Sequence, residues 1–176
     1  MKRIFALAVL CMAITGFAAA GGLVFHAGAG YHSSYIGMLP TNVDDSIETL
    51  KAMPLGVGGY VGLGYGFGEK KVFSLGVEAA PAWDLALQPI AVSNFSIQGR
   101  GFLKLKPMDI LTLTAFVGWG GNLATAKDIN SLLTSNLVLG GRITALFLYA
   151  EYGAVMQQDF SGILRHEIGL GFAIFK

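Results

Sequence analysis

In the run "YHSSY", His32 and Ser34 stand two residues apart, a spacing that puts both on one face of an extended strand. A histidine beside a serine is the start of a nucleophile–base pair, and such a pair also needs an acid that orients the imidazole. The sequence assigns no acid to it, so we expect a rim histidine in a polar loop and no catalytic residues. His26, His32 and His166 lie in separate segments without metal-ligand spacing, so no metal site is expected. Asp44, Asp45 and Glu48 offer carboxylates for Ca²⁺. The same residues also read as a short capped helix, "DDSIETLKAM", with Asp45 at its N-cap and Glu48 three residues on. We prefer the helix.

A third chemical reading comes from "PLGVGGYVGLGYGFGEKK", Pro54 to Lys71, with seven glycines in eighteen residues. A phosphate-binding loop needs a helix directly after its glycines. Here a charged turn and another extended segment follow. With a mature net charge near −1, nothing attracts nucleic acid, and no cofactor is expected.

The element that carries those glycines is legible in their alternation. Leu55, Val57, Gly59, Val61, Leu63, Tyr65 and Phe67 share one face; Gly56, Gly58, Tyr60, Gly62, Gly64 and Gly66 share the other. This period of two is that of a strand. It recurs in seven more segments, near residues 23–32, 73–83, 95–104, 111–119, 137–144, 148–155 and 165–174. Each has about the length of a tilted transmembrane strand. The tight connections "GEKK", "KPMD" and "ITALF" alternate with longer ones near residues 33–53, 84–92, 121–135 and 157–163. "KDINSLL" in the third long connection reads as a second short helix.

Composition agrees. The 176 residues are 53% hydrophobic and only 13% charged, against about 25% charged in soluble proteins. After residue 20 no stretch supplies the about 20 continuous apolar residues of a spanning helix. The expected fold is therefore all-β, an eight-stranded antiparallel transmembrane barrel over residues 21–176. In such a barrel the large apolar face meets lipid, and the glycine-rich face lines a lumen only wide enough for side chains. Residues 1–20 read as a cleaved secretory signal: Lys2 and Arg3, an apolar run containing the lone cysteine Cys11, then Ala18-Ala19-Ala20.

Charge sorts with the same phase. Glu78, Arg100, Arg142, Glu151, Arg165 and Glu167 all fall on inward faces. On the lipid face a basic residue at the midplane would cost about 2–4 kcal/mol; inside, Glu78 can pair with Arg100 and Arg142 with Glu151. The long connections carry Asp44, Asp45, Glu48, Asp84, Asp128 and Asp159 against Lys51 and Lys127, and the short-turn end carries Lys70, Lys71, Lys104, Lys106 and Lys176 against Glu69 and Asp109. Aromatic girdles are expected at the two membrane interfaces: Tyr31, Trp83 and Trp119 near the long loops, and Tyr65, Phe67, Phe73 and Phe172 near the short turns.

With strand count, loop asymmetry, inward charge pairs and the final strand "HEIGLGFAIFK" in view, the chain resembles the small eight-stranded outer-membrane barrels, the group of the OmpA transmembrane domain, OmpX and OmpW. The resemblance covers the whole mature chain. It implies an outer-membrane location, the bilayer as environment, and engagement of the barrel-assembly machinery through the C-terminal strand. Such barrels usually end on an aromatic residue; this chain ends Phe175-Lys176, and no further domain is expected beyond it. The His-x-Ser of "YHSSY" resembles that of outer-membrane lipid A deacylases. Those enzymes work at the lipid-facing surface, whereas the phase here turns His32 inward. The expected function is a non-enzymatic, monomeric barrel, a narrow channel for small or apolar solutes as in OmpW. The alternatives are an adhesin or membrane-stabilising barrel with extracellular ligands at its loops, and a lipid A-modifying enzyme.

Overall fold

The computed structural model describes residues 21–36, 55–86, 92–126, 129–157 and 164–175. The signal segment with Cys11, the acids Asp44, Asp45, Glu48, Asp128 and Asp159, Lys176 and the capped helix expected at Asp45 lie outside the described residues.

Eight strands form one closed antiparallel barrel: β1 (Gly22–Ile36), β2 (Leu55–Phe67), β3 (Phe73–Ala86), β4 (Val92–Met108), β5 (Leu111–Ala126), β6 (Ile129–Ala145), β7 (Leu148–Gln157) and β8 (Leu164–Phe175). Each strand pairs with its sequence neighbour, and β1 closes on β8, for example Tyr31 against Leu170. Closure removes every free edge, so each backbone polar group in the wall can be satisfied away from water.

The faces divide as the alternation predicts. Leu63, Val77, Leu139, Ile143 and Leu170 are more than half exposed on the outside. The lumen instead holds Glu78, Gln98, Arg100, Arg142, Thr114, Thr144 and Glu167, all buried. A soluble protein would invert this order. Apolar outside and polar inside is what a bilayer imposes on a barrel. Two apolar clusters share the lumen: Phe102, Phe116, Val138 and Val155, and Tyr60 with Ala80 and Tyr149.

The inward glycines give these bulky groups room. A Cβ at Gly28 would stand 2.6 Å from the Tyr60 ring, and one at Gly62 would strike the His26 ring. The two residues pair with Tyr60 and His26 respectively across β1 and β2.

Several boundaries differ from expectation, among them that of β1, which runs to Ile36 into the expected loop. The strands at the long-loop end run further than their apolar residues suggest. β5 and β6 extend to Ala126 and from Ile129, so "KDINSLL" contributes to a strand rather than a helix. β3 continues past Trp83 to Ala86, which takes Asp84 out of the acidic loop set and into the wall. The cause is common to both: polar residues on the inward phase, Asp84, Asn122, Thr134 and Asn136, extend a barrel strand without breaking it. At the short-turn end, β4 runs through "KPMD" to Met108 with an irregularity between Leu105 and Met108 around Pro107, and the turn falls at Asp109–Ile110. The β6–β7 turn is Leu146–Phe147, with Leu146 at φ 55°.

Candidate functional site

The lumen site is built by register. Glu78 on β3 faces Arg100 on β4, and Arg142 on β6 faces Glu151 on β7, each as direct cross-strand partners. The two pairs lie on opposite walls, and an eight-stranded lumen is narrow enough for them to meet. Arg142 Nη2 donates to Glu78 Oε1 at 2.8 Å and Nη1 to Oε2 at 3.1 Å, a two-pronged bond across the lumen. Arg142 Nε donates to Glu151 Oε2 at 2.6 Å. Arg100 Nη1 donates to Glu151 Oε1 at 2.7 Å and lies 3.4 Å from Glu78 Oε1. Two guanidinium groups and two carboxylates thus close a ring through the middle of the barrel.

Aromatic faces complete the seat. The Arg142 guanidinium lies 3.3 Å over the Tyr60 ring, and that of Arg100 lies 4.2 Å over Phe116. Cations stacked on ring faces gain from the quadrupole, more so when removed from water. His26 Nε2 lies 3.1 Å from Glu78 Oε2, within ion-pair distance but not aligned as a hydrogen bond.

From this quartet a polar chain runs to the long-loop end. Arg100 Nε donates to Gln98 Oε1, and Gln98 Nε2 donates to Glu167 Oε2, both at 2.8 Å. Arg165 Nη2 donates to Glu167 Oε1 at 2.9 Å. The other Glu167 oxygen lies 4.0 Å from His32 Nε2. The structure thus brings all six inward charges into one network. Gln98 is the neutral link between Arg100 and Glu167.

At the outer end Asp84 is a hub that the sequence did not assign. His32 Nδ1 lies 2.8 Å from its Oδ1, and Ser34 Oγ donates to its Oδ2 at 2.8 Å. Asn94 Nδ2 donates to the same Oδ2 at 3.1 Å and lies 3.4 Å from Ser34 Oγ. His32 and Ser34 are therefore buried lumen residues rather than loop residues. An acid does orient the histidine, but the serine bonds to the acid and not to the imidazole. A hydrolase needs the serine proton shared with histidine, and Ser34 gives it to a carboxylate that holds it in place. His166 is buried, with its Nδ1 2.8 Å from the Tyr152 hydroxyl.

Trp83, Trp119, Phe73 and Phe172 are exposed on the outer face. Tyr65, Phe67 and Phe73 form a row with centroid separations of 5.4 and 5.7 Å, and Tyr31 lies opposite Leu170. Trp83 Nε1 donates to Ser93 Oγ at 2.9 Å, which satisfies the indole near the outer rim. Among the described residues no cluster of His, Cys, Asp and Glu has the arrangement of a metal site.

No family model matches the chain, and no curated protein matches it in sequence. Solved structures do. Ail, the attachment invasion locus protein of Yersinia pestis, in complex with the heparin analogue sucrose octasulfate, is similar at 12% identity and a TM-score of 0.50, over 86% of this chain and 99% of that one. Neisserial surface protein A is similar at 9% identity and a TM-score of 0.48, over 89% and 99%. At such identities the likeness speaks to the fold alone. That fold is the one of the small eight-stranded outer-membrane barrels. Within it, this chain is a barrel with a charge network across its lumen.

Proposed function

We propose that this protein is a non-enzymatic outer-membrane barrel with a closed lumen, whose work is done at its ends. The observation that carries this reading is the Arg100–Arg142–Glu78–Glu151 ring, whose members are bonded across the lumen. A solute passing the midplane would have to separate ion pairs that are buried from water, at a cost of several kcal/mol. Ser34 held by Asp84 gives no activated nucleophile, which supports the non-enzymatic part.

Surface interaction then becomes the first reading. The acids Asp44, Asp45, Glu48 and Asp128 of the long connections suit a cationic partner, whereas Ail was crystallised with a polyanion. Like charges across an interface cost affinity and opposite ones speed encounter. The refolded barrel should therefore be retained on an immobilised polycationic peptide, and more weakly on heparin. Retention on heparin alone contradicts the reading. A narrow channel is the second reading, favoured by a water-sized cavity of about 10 Å³ between His32 and Arg100. Liposome swelling separates the two: no swelling in small sugars is expected of the closed lumen, and rapid swelling supports the channel.

A further inference from the structure

The lumen mouth at the short-turn end is unlike the rest of the barrel. A cavity of about 210 Å³ there is lined by Lys70, Lys71, Lys104 and Lys106 together with Ser74 and Thr112. Ser74, Lys104 and Thr112 share the inward phase of β3, β4 and β5, and Ser74 is the cross-strand partner of Lys104. They are built into the wall: their exposures are 1%, 5% and 4%. Lys71 adopts φ 46°, and its chain folds back over the mouth, so that a Cβ at Gly66 would stand 2.7 Å from the Lys71 Cβ. It donates to the Leu23 carbonyl at 2.9 Å, which leaves two further N–H groups of the ammonium.

Four lysines at this mouth outnumber the two acids of its turns, Glu69 and Asp109, both of which lie on the exposed side. Lys106 has Asp109 at 2.9 Å, on the exposed side of the turn. Lys104 is buried in the β4 wall, and among the described residues no hydrogen bond or ion pair holds its ammonium. The Lys104 ammonium opens only into this cavity, and a cation drawn largely out of water without a counter-charge is costly, a cost that pairing or a bound ion removes.

We infer that this cavity is an anion site for a phosphate group. Several ammonium groups with two buried hydroxyls match a multiply charged tetrahedral anion better than a single carboxylate, and lysine serves phosphate as a point charge. The volume accommodates a phosphate and a few waters, each of which takes about 30 Å³ in the liquid. The phosphate can come from a soluble anion or from an anionic phospholipid headgroup at the adjacent leaflet. The site stands apart from the midplane ring, so it does not depend on whether the barrel conducts.

The test uses the refolded barrel with inorganic phosphate in maltoside micelles, followed by calorimetry, and with nanodiscs of phosphatidylcholine containing phosphatidylglycerol, followed by native mass spectrometry. One saturable site is expected in at least one arm, weakened about tenfold or more in Lys104→Gln, the loss of one close charge contact. Binding of phosphate in micelles identifies a soluble anion. Retention of phosphatidylglycerol without phosphate binding identifies a headgroup. Should Lys104→Gln fail to fold, the exposed pair Lys70→Gln with Lys71→Gln carries the same expectation with a smaller factor. No saturable binding in either arm up to about 50 mM phosphate, an affinity too weak to matter, overturns the proposal. So does binding that the lysine substitutions leave unchanged.

Discussion

Arg142 ties the two walls of the lumen ring together: two bonds to Glu78, one to Glu151, and the Tyr60 face beneath it. Its removal leaves two carboxylates without their main partner in a closed space. Arg142→Ala is expected to destabilise the barrel by about 3–5 kcal/mol, read as a lowered urea midpoint in lipid vesicles. Gly62 tests the lumen by volume instead of charge. Its missing Cβ is occupied by the His26 ring, with the Glu78 Cβ 2.9 Å away. Gly62→Ala should cost about 1–3 kcal/mol through overpacking; an unchanged urea midpoint would show that His26 can swing aside freely. At this scale the sequence revealed the side on which each charge sits, because alternation alone decides that. It revealed the Glu78–Arg100 and Arg142–Glu151 pairs, because adjacent strands are adjacent in sequence. The bonds across the lumen, Arg142 to Glu78 and Arg100 to Glu151, depend on barrel diameter, for which a linear pattern carries no signal. Asp84 was missed for another reason: it was counted as a loop acid, although Ala82 and Asp84 continue the inward phase while Trp83 and Leu85 continue the outward one.

Strands explain themselves through their two faces, and a paired substitution on β2 separates them. Leu63 is 58% exposed near mid-strand and faces lipid, while Gly62 faces the lumen. Leu63→Arg is expected to cost about 2–4 kcal/mol in bilayers. That cost should nearly vanish in a detergent with a thin, deformable belt, whereas the Gly62→Ala cost should persist in both. Equal sensitivity of both variants to the surrounding lipid would reverse the inside–outside assignment. The turns are a different matter. The β6–β7 connection is two residues long, with Leu146 at φ 55° and the Leu146 amide donating to the Ile110 carbonyl at 2.7 Å. A left-handed conformation costs a bulky residue about 1–2 kcal/mol, less for asparagine. Leu146→Asn should therefore raise the urea midpoint, by about 1 kcal/mol in stability. The run "ITALF" gave the place of this turn only by the length left between two strands, since it contains no glycine, proline or asparagine. Residues 127–133 read as a helix because Ile129, Leu132 and Leu133 are apolar at helical spacing. Pairing with β5 overrides that local preference, as Leu123 with Leu133 and Ala124 with Leu132 show.

The whole molecule is a shell with a charged interior and asymmetric ends. Its apolar belt faces outward, its acids and amides line the outer half of the lumen, and its lysines ring the opposite mouth. The barrel was legible from alternation because lipid places a uniform demand on every second residue around the circumference. What the ends bind was not legible, because a handful of charged residues in long connections has no period. A lumen filled by a bonded network makes one physical statement about such a molecule: the fold and the barrier to solute passage rest on the same side chains. Weakening the network should then loosen both together.

Single-channel conductance in a planar bilayer measures that coupling most directly. The wild-type barrel is expected to show a low baseline, because the ring of Glu78, Arg100, Arg142 and Glu151 closes the midplane. Arg142→Ala, reconstituted under conditions where it remains folded, should conduct above that baseline, and Arg100→Ala should do so as well. A large, steady wild-type conductance that neither substitution changes would contradict the closed lumen and establish an open pore in its place.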